Sequence, residues 1–463
     1  MLLLIFLASL GLGAFATLAD WRRGIYLLIL IGILQDPVRK LTPGNPTWLI
    51  MTVVVIYFAM IVGAPDELSA GAREAGHRFP RLRDLTKIGI LILIMAGMNG
   101  LITFGIASWG APALSFFIYL IPVPAILLAY RWGNEQKDFL NLFSFYVVVT
   151  SVALIGVPLE HQRFSSSILG TVGMQEDWIR HMYGYQIRLL AGTFRGPDIM
   201  AWHAAMTCML AITVAIWRGF PKGWLWLGFA GWGFMACLMS GRRKMIYMIV
   251  VFAILFLLRN LKRVSLGQVI TMVLAAGAIW FVVDQLSEDR QRSIYTETAG
   301  TTREEVFQRL EGGTVSTLQR DGLLGRGLGA ATQGARRFMA SDAPAGWQEG
   351  GAAKIAVELG LPGLLYLLWL AVVLAQTATR AAKMKLMSEE SHVLTGALVA
   401  ILAANAVSFL ISHQPFSDGY IVLMNAFILG FLLSVPRLGA VNVEQPAAIV
   451  STSDNPLPGA SGA

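Results

Sequence analysis

Residues 224–258 read WLWLGFAGWGFMACLMSGRRKMIYMIVVFAILFLL. Two apolar runs, each approaching the roughly 20 residues that cross a bilayer, are separated only by Ser240, Gly241, Arg242, Arg243 and Lys244. This is a pair of membrane helices joined by a tight turn. The rest of the chain has the same character: of 463 residues, 56% are hydrophobic and 14% charged, with a mean hydropathy of +0.62. A soluble chain is roughly half apolar and a quarter charged. So little charge cannot cover a soluble surface, which excludes soluble enzymes, nucleic-acid modules and disordered scaffolds. The net charge of +8 therefore points to membrane lipids as the first partner and not to nucleic acid. Cys208 and Cys237 lie inside apolar runs, so neither a disulfide framework nor a thiolate metal site is indicated.

Reading outward from this hairpin gives about thirteen candidate helices. They centre on residues 4–19, 24–35, 47–64, 88–108, 112–130, 139–158, 199–217, 224–239, 245–258, 266–283, 355–378, 393–412 and 419–435. The fold class is thus an all-α polytopic membrane protein of about 12–14 transmembrane helices. Residues 1–283 hold the first ten helices and a short loop at 159–198; residues 284–354 form a large, partly helical loop; 355–437 hold the last three helices; 438–463 are a disordered tail rich in Ala, Ser, Pro and Gly. Met1 to Ala19 lacks a preceding Lys or Arg and is followed by Arg22 and Arg23, so it reads as a retained helix whose start faces outward.

Lys and Arg gather in short cytoplasmic loops. Alternate loops carry Arg22 and Arg23; Arg73, Arg78, Arg81, Arg83 and Lys87; Arg131 and Lys137; Arg218 and Lys222; Arg259, Lys262 and Arg263; and Arg380, Lys383 and Lys385, with Arg437 after the last helix. That face is expected to be cytoplasmic. Short turns near Asp36, Trp109 and His413 and both long loops are then external. Arg242, Arg243 and Lys244 fall on the external face, against the insertion bias, so they are expected to have another task.

External arginines at the membrane surface suit a phosphate at that depth, because the guanidinium fork binds phosphate oxygens bidentately and stays charged. The same cations also suit snorkelling to headgroups, or pairing with Asp284, Glu288 and Asp289. In Arg188 to Met200, RLLAGTFRGPDIM, glycines and Pro197 lead into a helix and leave Arg195 and Asp198 at its outer mouth, as a sugar-phosphate site or as a capped loop. Residues 323–329, LLGRGLG, place glycines around Arg326, but lack the Lys and Ser/Thr of a P-loop. In WQEGGAAKIAVELGLPG, residues 347–363, Lys354 and Glu358 are expected to pair along a helix face. Glu349 stands on a glycine-flanked segment where partial burial would let it accept a proton from a sugar hydroxyl; a solvated loop carboxylate is the plainer alternative. Arg309 is a further cation of the long loop. No metal motif, acidic pair for a nucleotide sugar, or nucleophile elbow is present in the sequence, so no cofactor and no metal are expected.

In this order and spacing the motifs resemble the O-antigen ligase and O-antigen polymerase superfamily of bacterial inner-membrane glycosyltransferases. Gly192 to Asp198, GTFRGPD, is similar to the family's G-x-F-x-x-P-N element, with Asp198 where Asn is usual. Ser240-Gly241-Arg242-Arg243 resembles its S-R element, Leu324 to Gly329 its L-G-x-G-x-G element, and Glu358 to Gly363 its E-x-G-x-x-G element. The resemblance implies a GT-C-like helical fold with its active site on the periplasmic face. It implies an undecaprenyl-pyrophosphate-linked glycan as donor, with flippase and chain-length regulator proteins as partners. Arg242 and Arg243, with Arg195 and Arg188, would bind the pyrophosphate; Asp198, Arg309 and Arg326 are secondary candidates. The family often has His-Asn nine residues before the motif glutamate, whereas this chain has Glu349-Gly350. A carboxylate can replace imidazole as base, and the departure favours a polymerase of surface or exopolysaccharide over a lipid A-core ligase. A ligase acting on lipid A-core or protein, and a polysaccharide or lipid transporter, are the alternatives.

Overall fold

The computed structural model describes residues 1–172, 179–182, 185–219, 221–260, 313–332, 334–339, 350–383 and 389–441, with a few isolated positions from 267 to 307. The expected helix at 266–283, much of the long loop, and residues 442–463 of the expected tail lie outside the described residues. The helices are α1 (Leu2–Ala19), α2 (Gly24–Leu41), α3 (Thr52–Gly63), α4 (Pro65–Arg78), α5 (Pro80–Phe104), α6 (Gly110–Leu120), α7 (Pro122–Trp132), α8 (Gln136–Ala153), α9 (Gly156–His161), α10 (Pro197–Arg218), α11 (Trp224–Met239), α12 (Arg243–Asn260), α13 (Gly313–Asp321), α14 (Gly351–Lys383), α15 (Glu389–Ile411) and α16 (Gly419–Val441). A two-stranded antiparallel hairpin, β1 (Ile179–Met182) and β2 (Tyr185–Arg188), precedes α10.

Eight described spans are long and apolar enough to cross a membrane, or nine if the pair α3 and α4, bent by 80°, counts as one. α11 is a shorter apolar helix. The sequence counts more because it accepts every apolar run. α2 carries Asp36, Arg39 and Lys40 in its last turns, and α12 starts with Arg243 and Lys244 and ends near Arg259. The expected external turn near Asp36 is therefore a correction: α2 continues through Asp36 and Pro37 to Leu41, with Asp36 buried. α16 likewise runs past residue 438, where the tail was expected.

α10 is the central helix. Seventeen of its residues are buried, on all its faces, including Trp202, His203 and Met206. A helix apolar all round has no solvent stripe and belongs in the middle of a bundle. α8, α11, α12 and α15 pack around it.

The bundle has two polar ends. At one, Arg131 pairs with Glu67 at 2.8 Å and Glu74 at 2.9 Å. Arg78 donates to the Pro436 carbonyl at 3.0 Å, Arg437 donates to the Gly133 carbonyl, and Trp132 Nε1 donates to the Arg22 carbonyl at 2.9 Å. The cations Arg22, Arg78, Arg131 and Arg437, assigned to one face by sequence, thus meet at one end. At the opposite end, Asp418 sits just before α16 and pairs with Arg195. From Gly419 to Arg437 the helix rises about 27 Å at 1.5 Å per residue, close to the roughly 30 Å of a hydrocarbon core.

Residues 323–329 lie between α5 and α14 and are held by backbone. Arg326 N–H donates to the Val357 carbonyl at 2.7 Å, Leu328 N–H to Ala96 at 2.9 Å, and Leu361 N–H to Leu323 at 2.8 Å. A Cβ at Gly327, whose φ is +90°, would stand 2.1 Å from the Gly100 nitrogen. Opposite Leu323, α14 breaks at Gly360 (φ 65°, ψ −156°). The glycines of this run permit contact between backbones, and the Arg326 and Leu328 amides are spent on helix carbonyls, not presented to a phosphate.

Ser69 and Ser165 are exposed at opposite ends of the bundle. In intact cells a membrane-impermeant maleimide is expected to label only one of the single-cysteine variants Ser69→Cys and Ser165→Cys, and the other only after permeabilisation. Labelling of both from one side would refute the two-ended arrangement.

Candidate functional site

α10 starts after an extended Gly196, with Pro197 at its first position and Asp198 in its first turn. A carboxylate there is favoured by the helix dipole. Asp198 Oδ2 lies 2.9 Å from the Arg242 guanidinium and Oδ1 lies 2.5 Å from Lys244 Nζ. Both cations belong to the expected 240–244 turn; Arg242 lies in the turn now seen between Met239 and Arg243, and Lys244 in the first turn of α12. Ser240 builds that turn: its Oγ donates to the Cys237 carbonyl at 2.5 Å and accepts from Arg242 N–H at 3.0 Å. Gly241 takes φ +71°, which reverses the chain at a position where a side chain would be strained. Lys244 Nζ also reaches Ser412 Oγ at 2.7 Å and Gln414 Oε1 at 3.5 Å beyond the end of α15. The α10 start, the α11–α12 turn and the α15 end therefore converge on three charges. Arg242 and Asp198 are each 8% exposed, so the pairs are shielded from solvent, while Arg243 is half-buried beside them.

Three residues before Asp198, Arg195 serves a second set. Its N–H donates to Asp36 Oδ2 at 3.0 Å, its guanidinium meets Asp36 Oδ1 at 3.3 Å, and it pairs with Asp418. Asp418 also accepts from Ile421 N–H at 3.0 Å, at the start of α16. Arg195 is committed to two buried carboxylates and acts first as a brace between α2 and α16. Arg188 ends β2 and lies near the Glu160 carboxylate, as does Lys40. Glu160 accepts from the Ala191 and Gly192 amides at 2.9 and 2.5 Å, and Lys40 donates to the Gly192 and Ile168 carbonyls at 2.8 and 3.2 Å. The glycine-containing entry to α10 is thereby pinned from both sides.

Arg242, Arg243, Arg195 and Asp198 thus gather at one end, and Arg188 anchors the approach to it. Arg326 belongs elsewhere: it grips Asp321 through Nε at 2.9 Å and the terminal guanidinium at 2.8 Å. The Arg320 hydrogen bond, opposed by burial and helped by Arg326, holds Asp321 below the usual aspartate range. A depressed carboxyl adds stability above its unfolded value and loses it as pH falls through the lowered one, so this clamp is intact at neutral pH. Glu349 and Arg309 lie outside the described residues. Gly350, which follows Glu349, is buried, and Gly351 packs on Phe409 near the end of α15. The expected Lys354–Glu358 pair gives way to a different arrangement: Glu358 accepts from Tyr119 Oη and Thr332 Oγ1, both at 2.7 Å.

Asp36, Lys40, Glu160 and Asp418 were missed by sequence reasoning. Their signal was present: lone charges at the outer ends of apolar runs, on the same face as the arginines. Among the described residues no group of three or more His, Cys, Asp or Glu is placed to hold a metal ion. No protein-family model matches this chain, and no curated protein matches it.

Removing Asp198 would leave Arg242 and Lys244 without the carboxylate they share. Breaking a buried pair from one side costs about 3–5 kcal/mol, so Asp198→Ala is expected to lower the thermal unfolding midpoint in detergent substantially. Arg23→Ala, which removes the exposed pair with Asp20, is the control and should change it little. Equal midpoints for Asp198→Ala and the parent would contradict the buried network.

Proposed function

We propose that this protein is a glycosyltransferase that polymerises undecaprenyl-pyrophosphate-linked oligosaccharide repeat units into a surface or exopolysaccharide at the periplasmic face of a bacterial inner membrane. The observation that supports it best is the pairing of Arg242 and Lys244 with Asp198, with Arg243 next to them in the chain, at the end of the bundle opposite Arg22, Arg131 and Arg437. Positive-inside bias makes the Arg131 end cytoplasmic. The Arg242 end then faces the periplasm, at the depth where a lipid diphosphate carries its charge. The resemblance of the motifs to the O-antigen ligase and polymerase superfamily, which implies a GT-C-like fold, supports the same reading.

In the reaction, an acceptor sugar hydroxyl attacks the anomeric carbon of the lipid-linked donor. The new bond joins the acceptor oxygen to that carbon; the bond from that carbon to the phosphate oxygen breaks, and configuration inverts. Glu349 takes the hydroxyl proton. Arg242 and Arg243 stabilise the negative charge that grows on the departing diphosphate, a term that preorganised donors in a low-dielectric site make large. Asp198 holds Arg242 and Lys244 in place before the donor arrives. No metal or nucleotide sugar is needed, because the lipid diphosphate is already an activated leaving group. A flippase supplies the donor and a chain-length regulator sets the product. Transfer to lipid A-core or protein would use the same machinery with a different acceptor.

A transporter of polysaccharide or lipid is the second reading. It is favoured by the break in α14 at Gly360 and by the buried ionisable groups Glu358 and Lys354 nearby, since interrupted helices and charges at membrane depth mark transport pathways. Purified protein in detergent, with no gradient or potential, is expected to lengthen lipid-linked oligosaccharide; failure under conditions where vesicles translocate it would favour transport instead. Arg243→Ala and Glu349→Gln are each expected to abolish polymer at unchanged protein level, and Arg242→Lys or Arg243→Lys to restore it only in part, because a point charge lacks the guanidinium fork. Polymer of parental length from Arg243→Ala or Glu349→Gln would remove that residue from the mechanism.

A further inference from the structure

The first two turns of α14 carry two ionisable side chains that the reaction above leaves unused. Glu358 is fully buried. Its carboxylate accepts from Tyr119 Oη at 2.7 Å, Thr332 Oγ1 at 2.7 Å, Ala331 N–H at 3.1 Å and Ser115 Oγ at 3.4 Å. Both oxygens are occupied, so Glu358 clasps residues 331–332 and α6 to α14. Lys354, one turn earlier, is different. It is 4% exposed, and an ammonium brings three donors, yet among the described residues none of them meets an acceptor at hydrogen-bonding distance. Its neighbours are the Tyr119 ring, 5.6 Å from Nζ to centroid, and the charge of Glu358. A ring face offsets part of the lost hydration of a cation, but it does not satisfy the N–H groups, and an ammonium held this way favours an incoming anion.

The helix turn that carries this ammonium starts near the arginine cluster. The start of α14 packs on α15 so closely that a Cβ at Gly351 would stand 2.4 Å from the Phe409 carbonyl oxygen. Three residues on, Ser412 accepts from Lys244 Nζ at 2.7 Å. The first turn of α14 and Lys244 therefore flank the same last turn of α15. A diphosphate spreads its charge over two phosphates and can be held from two helices at once. We propose that Lys354 is an anion-binding residue of the diphosphate site, meeting one phosphate from α14 while Arg242 and Arg243 meet the other from the α11–α12 turn and the start of α12. This rests on the diphosphate reading of the Arg242 cluster.

The test is titration of inorganic pyrophosphate into the full-length protein in detergent, followed by calorimetry, with the unliganded melting temperature checking that each variant is folded. The parent is expected to bind, Lys354→Gln to bind at least tenfold more weakly, and Lys354→Arg to stay within threefold of the parent. Undiminished binding by folded Lys354→Gln overturns the role of Lys354 and leaves the diphosphate reading standing. No binding by the parent overturns the diphosphate reading, and this inference with it. Should Lys354→Gln not fold, acylation of Lys354 in the parent, read by peptide mass spectrometry, decides: pyrophosphate is expected to slow it at least threefold, and an unchanged rate overturns the proposal.

Discussion

One carboxylate shared by two cations sets the geometry of the described site. Asp198 stands in the first turn of the most buried helix and holds Arg242 and Lys244 against it. Pairing and hydrogen bonding offset much of the cost of a charge in a low-dielectric bundle, so these three side chains constrain one another and the elements that carry them. Lys244 extends the constraint to Ser412 at the end of α15, and Arg195 extends it through Asp36 and Asp418 to α2 and α16. The starts or ends of five helices are thereby brought together around α10. The cost of burying the charges is offset by their mutual pairing.

A second constraint is steric. The run from Leu323 to Gly329 reaches its position because glycines let backbone meet backbone, with Leu328 bonded to Ala96 of α5 and Arg326 to Val357 of α14. Irregular backbone at membrane depth must have its amides and carbonyls met by protein, and α5 and α14 supply the partners. Glu358 completes the attachment through Thr332, Ala331 and Tyr119. The sequence pattern that hints at a phosphate cradle is thus met by a demand for close packing, while the buried cations Arg242 and Lys244 stand at the turn that follows Ser240.

These two devices divide the labour between ends and middle. The Arg131 end is built from cations paired with Glu67 and Glu74 on α4, which is turned 80° from α3. The Arg242 end is built from cations whose carboxylate partners come from other helices. Separating these charge systems by about the length of a transmembrane helix gives the molecule two distinct polar ends.

The helical class, most helix centres, the grouping of Arg22, Arg78, Arg131 and Arg437, and the tight turn at Ser240 were legible in the sequence, because hydropathy and cation placement act locally and need no knowledge of neighbours. The turn residues Ser240 and Gly241 announced themselves by chemistry that only a sharp reversal requires. Three things depended on the tertiary structure: that Asp36 is an interior brace and not a turn, that Arg195 is spent on two carboxylates, and that Glu358 turns from Lys354 toward Tyr119 and Thr332. Each is a pairing between residues far apart in the chain. Sequence spacing reports which charges exist and at which end of a helix they stand, but the choice of partner is made by the packing that brings distant helix ends within a few ångströms, where burial makes pairing between opposite charges favourable.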